Sequence, residues 1–527
     1  MKPLIMPPRP GVRSYDPFGA NRGPGVRPLG SIFLTRVTIA LPVLFLPFFL
    51  GGARPWFWSM FAALFMIGTA VLLWMEPESP SLMREIPVKW QGAGVFILAF
   101  PVLQLIPLPP SALAVLAPHR LLWLQRAAEA AGSPQGGWAA ISYLPVMTMF
   151  SLFWWVFLVL FGILLRNALR EGSPEWFFRL LFFVAASEAL YGILQVLVPS
   201  LGVLWEAAGT GDARGTFVNR NHFAAFLGMI WPVLLGYTLS PEEPPSRLSR
   251  QKTYDARERN AQIRQKQLFF SFLVGMVLFA LVFSESRGGI LSALIALTAF
   301  TIIGRIRRPG MLAFVVVCWG VMIAYGSIVG FGNIIARFDV LEGGALGRFK
   351  IWADSCRLIR DHFLTGTGLD TFAHAIRLYQ SHLLDDQEIV HAHSDYLELA
   401  GELGVPVAAG LTVLAWGYWV LAARRAWKLD AGENLPDRRR SSGPSGTLSL
   451  SDIPGGSGSA IHRSPIPAGL RAGGIHCESG GDSRRRLIAA GALAGCLAFL
   501  CHSVVEFNWQ IPANQLYFVV LIVLMSL

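Results

Sequence analysis

Charge is what this sequence has least of. Only 15% of its 527 residues are Asp, Glu, Lys or Arg, against about 25% in ordinary soluble domains. Hydrophobic residues make up 53%, and mean hydropathy is +0.49. A soluble multidomain protein is excluded. Cysteine is scarce as well. Cys318, Cys356, Cys477, Cys496 and Cys501 show no CxxC spacing, and three of them lie in or beside apolar runs, where a small buried hydrophobe is the default. No disulfide framework follows. HExxH and DxD spacings are missing too, so no metal motif stands out. The formal charge of +11 would suit a nucleic-acid partner, but the basic residues sit between hydrophobic runs, so no nucleic acid is expected.

What is present is a succession of apolar segments of about 20 residues, the length needed to cross a bilayer. They fall near 32–51, 55–74, 91–109, 145–165, 176–198, 222–240, 268–285, 289–303, 311–331, 399–422, 487–505 and 510–527. The expected fold is therefore an all-α integral membrane protein of about twelve spans. Residues 1–31, rich in Pro, Gly and Arg, read as a disordered cytoplasmic tail rather than a signal peptide. With that tail inside, cytoplasmic segments hold 30 of the 44 Lys and Arg, against 12 outside. The positive-inside rule supports this orientation, with both termini cytoplasmic. Spans one to nine occupy 32–331, and a large helical extracytoplasmic loop subdomain occupies 332–398. Span ten follows at 399–422. A basic, Gly/Ser/Pro-rich cytoplasmic loop at 423–486 then leads to spans eleven and twelve at 487–527. An interfacial helix is expected around Ala112–Ala131.

Four polar clusters interrupt this pattern, and all open on the non-cytoplasmic face. They are GTFVNRNHF (215–223, preceded by Arg214), SRGG (286–289), HAHSDYLELAGELG (391–404) and HSVVEFNWQIPAN (502–514). Charge persists beside hydrocarbon mainly where it lines water, a ligand or another charge. In the first cluster Asn219 and Asn221 suit a helix start near His222. Arg214 and Arg220 would flank it, where backbone N–H groups already favour anions. Arg287 sits at the tip of a helical hairpin, with Glu285 beside it as a candidate counter-ion. In the third cluster Asp395 and Glu398 fit a capping box, and His391 and His393 stand at the mouth of a span, suited to proton transfer. An HxH pair with His374, His382, Asp385 or Asp386 could instead hold a metal, but no accompanying motif supports one. In the fourth, His502 and Glu506 are four apart on one helical face, and Pro512 can start the last helix. Glu188, midway along a span, either pairs with Arg179 or faces a lumen.

The order of YGILQ (191–195), GTFVNRNHFA, SRGG, the RFKIW to GTGLDTF stretch (348–372), HSDYLELAGELG and HSVVEFNWQIPAN resembles the O-antigen ligase and O-antigen polymerase superfamily of bacterial envelope glycosyltransferases. The likeness extends over roughly 140–520; the 441–482 insert departs from it. The resemblance implies a GT-C-like helical fold in the inner membrane and a metal-independent, cofactor-free transfer at the periplasmic face. The donor would be an undecaprenyl-diphosphate-linked glycan. The acceptor would be lipid A–core, a growing glycan chain or a protein side chain. It assigns the diphosphate to Arg287 and to the first-cluster arginine, which is Arg214, Arg220 or both, and makes His393 the base that serves the acceptor. Arg220 stands inside NRN, where many members carry proline. Asn219, Asn221, His391, His502 and Glu506 would support these groups. The rival class is a multi-span lipid or sugar transporter, which would place its polar groups near the bilayer midplane.

Overall fold

The computed structural model describes residues 29–76, 88–133, 136–204, 211–240, 253–306, parts of 309–320, 345–380, 389–428 and 480–527. Most of the expected N-terminal tail, the ninth span and the 423–486 loop lie outside the described residues, as do the loop segments 332–344 and 381–388. The described chain is helical; its only β-type pairing is an isolated bridge between Leu108 and Ala139. Among the described residues eight helices are long and apolar enough to cross a membrane, and three shorter apolar ones (91–105, 287–303 and 512–524) accompany them.

In chain order the long helices are α1 (Leu29–Phe48), α2 (Pro55–Met75), α3 (Val88–Leu105), α6 (Pro145–Glu171), α7 (Glu175–Leu197), α8 (Arg220–Leu239), α9 (Thr253–Phe283), α10 (Arg287–Ile303), α13 (Val405–Lys428), α14 (Gly480–His502) and α15 (Pro512–Leu524). Short helices lie between them: α4 (Pro110–Leu116), α5 (Pro118–Ala130), α11 (Ala345–Asp361) and α12 (Asp395–Leu403). Where one interfacial helix was expected near Ala112–Ala131, the chain breaks at Ala117 and restarts with Pro118 at the first helical position, which proline's fixed φ favours.

Helix α8 is the axis of the bundle. Nearly all of its apolar window is buried, and α7, α9, α10, α14 and α15 surround it. Its closest neighbour is α14. A Cβ on Gly491 or Gly495 would strike the carbonyls of Pro232 and Met229. Small residues spaced by four let two backbones approach in the way membrane helices favour.

The two ends of the bundle differ. At one end Arg484 pairs with Glu175 (2.6 Å) and Arg305 lies over Trp427 (4.2 Å). Arg170 donates to the Ser526 carbonyl there (3.2 Å). This is the basic end. At the other end α8, α10, α13 and α15 begin while α9 and α14 finish, and all four polar clusters gather there.

The segment expected as one span at 399–422 is two helices. Gly404, at φ +76°, separates α12 from α13, and a side chain there would collide with the backbone of Leu364 and Thr365. Helix α12 carries three buried carboxylates, and each accepts backbone N–H from a different segment. Asp395 takes Trp509 N (3.0 Å), Glu398 takes Ala392 N (3.0 Å) and Glu402 takes Phe372 N (3.1 Å). The GTGLDTF loop is fastened beneath. Gln104 donates to the carbonyls of Thr365 and Glu402 (both 2.8 Å), and Thr148 donates to Leu369 O (2.9 Å). On α11 the buried side is Ile351, Asp354, Ser355 and Leu358, while Cys356 faces outward.

Candidate functional site

The first cluster is a loop that dips between helices. Gln195, from YGILQ, donates to the carbonyls of Gly202 (2.6 Å) and Gly215 (2.8 Å) and accepts Arg214 N (2.9 Å). Ala213 N donates to Phe283 O (2.9 Å), tying this loop to the end of α9. Glu188 neither pairs with Arg179 nor faces a lumen: it accepts Thr216 N (2.9 Å) and Thr216 Oγ1 (2.6 Å). Gly215, at φ +56°, has no room for a Cβ, which would run into Glu188 Oε2 and the Phe223 ring. Gly215→Ala is therefore expected to cost about 2–4 kcal/mol, from left-handed strain plus overpacking. Thermal unfolding in detergent measures this, and an unchanged midpoint would show that the loop is not held as described.

Helix α8 begins at Arg220, two residues before the expected start, with the Asn219 side chain capping Asn221 N (2.8 Å). The SRGG turn is capped by Ser286, whose Oγ accepts Gly289 N (3.2 Å). Both glycines there are needed for packing: a Cβ on Gly289 would meet Ala224, and one on Gly288 would meet the buried His502 ring.

Arg214 is held by Asp212 (Nε to Oδ1, 3.1 Å) and by the Val218 carbonyl (3.2 Å). Arg220 lies between Asp212 (3.6 Å) and Glu285 (3.4 Å). Glu285 thus counters Arg220 and not its neighbour Arg287. Arg287 is exposed at the first residue of α10, and among the described residues no carboxylate pairs with it.

Glu506 is the hub of the other half. It was expected to share a helical face with His502, but α14 ends at His502 and Glu506 lies in the turn beyond. Its buried carboxylate accepts His393 Nδ1 (3.0 Å) and Arg348 Nη2 (3.2 Å), and it also bonds Asn221 Nδ2. Burial alone would raise its pKa. The His393 hydrogen bond and the charges of His222 and Arg348 outweigh burial and hold it at about 2. An ionised carboxylate only accepts, so His393 Nδ1 carries the proton and Nε2 is the basic nitrogen. Among the described residues nothing hydrogen-bonds that Nε2. His393 itself sits at φ +51°, a left-handed conformation uncommon outside glycine.

His391 is tied in the same way, Nδ1 to Glu398 at 2.9 Å. Its burial opposes the charged form, but Glu398 and Asp370 raise its pKa above the ordinary histidine value. Phe507 lies among three imidazoles. His391 stacks on it (4.1 Å, 17°), while His222 (4.5 Å) and His393 (5.0 Å) meet it edge-on. The capping box expected at Asp395–Glu398 does not form, since Ser394 makes no side-chain cap and both carboxylates serve tertiary partners.

Every predicted site residue lies in this one region. Arg220–Glu285 joins the first cluster to the second, Asn221–Glu506 the first to the fourth, His502 under Gly288 the second to the fourth, and His393–Glu506 the third to the fourth. His502 packs under the turn without touching an arginine. Asp212, Arg348, Asp395, Glu398 and Phe507 are further members of the region. Among the described residues no group of three His, Cys, Asp or Glu is arranged to hold a metal ion; His382, Asp385 and Asp386 lie outside them.

The family model for O-antigen ligase matches residues 272–412. That segment is similar to the O-antigen ligase and polymerase superfamily. The matched segment holds SRGG, RFKIW and HSDYLELAGELG, hence Arg287, Arg348, His391 and His393. Arg220 and Glu506 lie outside the match but are bonded to Glu285 beside SRGG and to His393 and Arg348 within the motifs; Arg214 lies outside it too and is held by Asp212 and the Val218 carbonyl. No curated protein matches the chain significantly. A ligase- or polymerase-like glycosyl transfer in a multi-pass membrane protein is the function that follows.

Proposed function

We propose that the chain is an inner-membrane glycosyltransferase with a GT-C-like fold that moves a glycan from undecaprenyl diphosphate to lipid A–core at the periplasmic face. The observation that carries this reading is His393, oriented by an ionised Glu506 and gathered with three arginines at the end of the bundle opposite the basic one. The positive-inside rule reads the basic end as the cytoplasmic one, which supports a periplasmic site.

Arg287, exposed at a helix N-terminus and without a carboxylate partner, takes the diphosphate first, and Arg214 and Arg220 complete the cradle. Guanidinium forks bind phosphate oxygens in pairs. His393 Nε2 accepts the proton of the acceptor hydroxyl while that oxygen bonds to the anomeric carbon. The bond from that carbon to the diphosphate oxygen breaks, and the leaving charge grows toward the arginines, which stabilise it. A single displacement with one base inverts the anomeric carbon. Asn221 and Arg348 hold Glu506, and His391 supports the histidine loop through its stacking on Phe507. No metal or cofactor takes part.

The test is the glycan profile of envelopes from cells lacking the protein. Long chains stranded on undecaprenyl diphosphate and missing from lipid A are the expected result. Loss of chain length with single repeat units retained on lipid A would make the protein a polymerase. Loss of glycan from proteins alone would make it a protein O-oligosaccharyltransferase. An unchanged profile sinks the glycosyl-transfer reading and returns the transporter.

A further inference from the structure

Glu285 stands where a diphosphate site would not be expected to tolerate a carboxylate. It is the apex of the turn between α9 and α10, closed by Glu285 N to Val282 O (3.1 Å), by Ser286 N to Ser284 Oγ (3.3 Å) and by the Ser286 cap. Its backbone is left-handed, φ +54°, which a non-glycine residue adopts only at some cost. The side chain is 66% exposed and reaches Arg220 Nη1 at 3.4 Å. Asp212, which reaches the same Arg220 Nη1 at 3.6 Å, is buried and also engaged with Arg214. Of the two carboxylates, only Glu285 can swing away into water without leaving a buried charge behind.

We infer that Glu285 is a displaceable counter-ion that yields Arg220 to the donor's diphosphate and reclaims it to expel the spent carrier. The inference rests on the diphosphate reading above and goes beyond it. The chemistry explains why such a group is useful. Arginines aimed at the charge that develops during transfer bind the fully charged leaving group best of all. The donor's diphosphate is esterified at both ends, whereas the released carrier ends in a free phosphate and carries more negative charge. A carboxylate competing for Arg220 therefore weakens the product more than the donor. Asp212 cannot do this, because its burial fixes it to Arg214. Arg287 remains the constant anchor through the cycle.

Full-length protein in nanodiscs is titrated with farnesyl diphosphate, a soluble stand-in for the spent carrier, at one fixed ionic strength. The proteins compared are wild type, Glu285→Gln, Glu285→Gly and Arg287→Ala. Glu285→Gly relaxes the left-handed backbone and separates the loss of charge from any folding defect. Both Glu285 variants are expected to bind the probe about two- to fivefold tighter, the scale of one exposed ion pair. Their multiple-turnover rate should fall while a single turnover proceeds at the wild-type rate. Equal or weaker binding in both variants, with Arg287→Ala still losing affinity, overturns the role of Glu285 and leaves the diphosphate site standing. If no protein binds the probe and Arg287→Ala is indistinguishable from wild type, the diphosphate site itself falls, and the counter-ion role with it.

Discussion

His393→Ala is expected to lower the rate of glycan transfer by about 10²–10⁴-fold, the range lost with a general base. Binding of the lipid diphosphate should stay near the wild-type value, because none of the arginines proposed to hold it is bonded to His393. The left-handed backbone at 393 complicates alanine, which tolerates that region poorly. Asparagine tolerates it better and cannot take the proton, so His393→Asn gives the same chemical defect in an intact fold. Steady-state transfer with donor and acceptor varied separately checks the split. A loss confined to the Michaelis constant for donor, with turnover preserved, would remove His393 from the proton-transfer step.

Glu506→Gln should be nearly as damaging, for a different reason. Three donors converge on this carboxylate: the His393 ring N–H, an Arg348 guanidinium N–H and the Asn221 amide. A glutamine keeps one acceptor oxygen and turns an NH₂ toward the remaining donors. Arg348 is about two-fifths exposed, so water offsets part of its loss. The cost in stability is expected near 2–3 kcal/mol, below the range for a fully buried broken pair. Transfer should drop about 10²–10³-fold, since His393 loses the group that fixes its tautomer and aim. The sign of the pH effect follows from the lowered pKa. Glu506 stabilises the fold above the ordinary carboxylate range and loses that contribution only as pH falls toward about 2. Wild type and variant should therefore differ in unfolding midpoint by a constant amount between about pH 5 and 8, with convergence only in strong acid. A difference that grew through the neutral range would mean that Glu506 is not ionised there.

Much of this arrangement could be read from the sequence because the information was local. Apolar length announces a membrane helix wherever it occurs, and Asn219 and Pro512 begin helices by their own chemistry. The four clusters were also legible as one site, since span parity alone brings them to the same end of the bundle. Other features depended on partners far along the chain. Arg348 meets a carboxylate 158 residues away, and nothing beside it in the sequence marks that meeting. The pattern that suggested a capping box at Asp395 and Glu398 was real, but tertiary backbone N–H groups from Trp509 and Ala392 took those carboxylates first. The His502–Glu506 spacing misled because it assumed that a helix continued past its last turn. Glu188 showed its burial in the sequence but not its partner, because the Thr216 loop reaches it only after folding.

Helix α12 has a consequence for how this protein tolerates change. Each of its three carboxylates accepts a main-chain N–H, and Glu398 takes the His391 ring N–H besides. As far as these bonds are concerned, positions 372, 392 and 509 accept any residue that keeps an N–H, and proline alone is barred. The acidic residues at 395, 398 and 402 have no such freedom, since a shorter or apolar side chain would leave a buried N–H unsatisfied. Variation is therefore expected on the hanging segments and invariance on the nine-residue bracket that carries them.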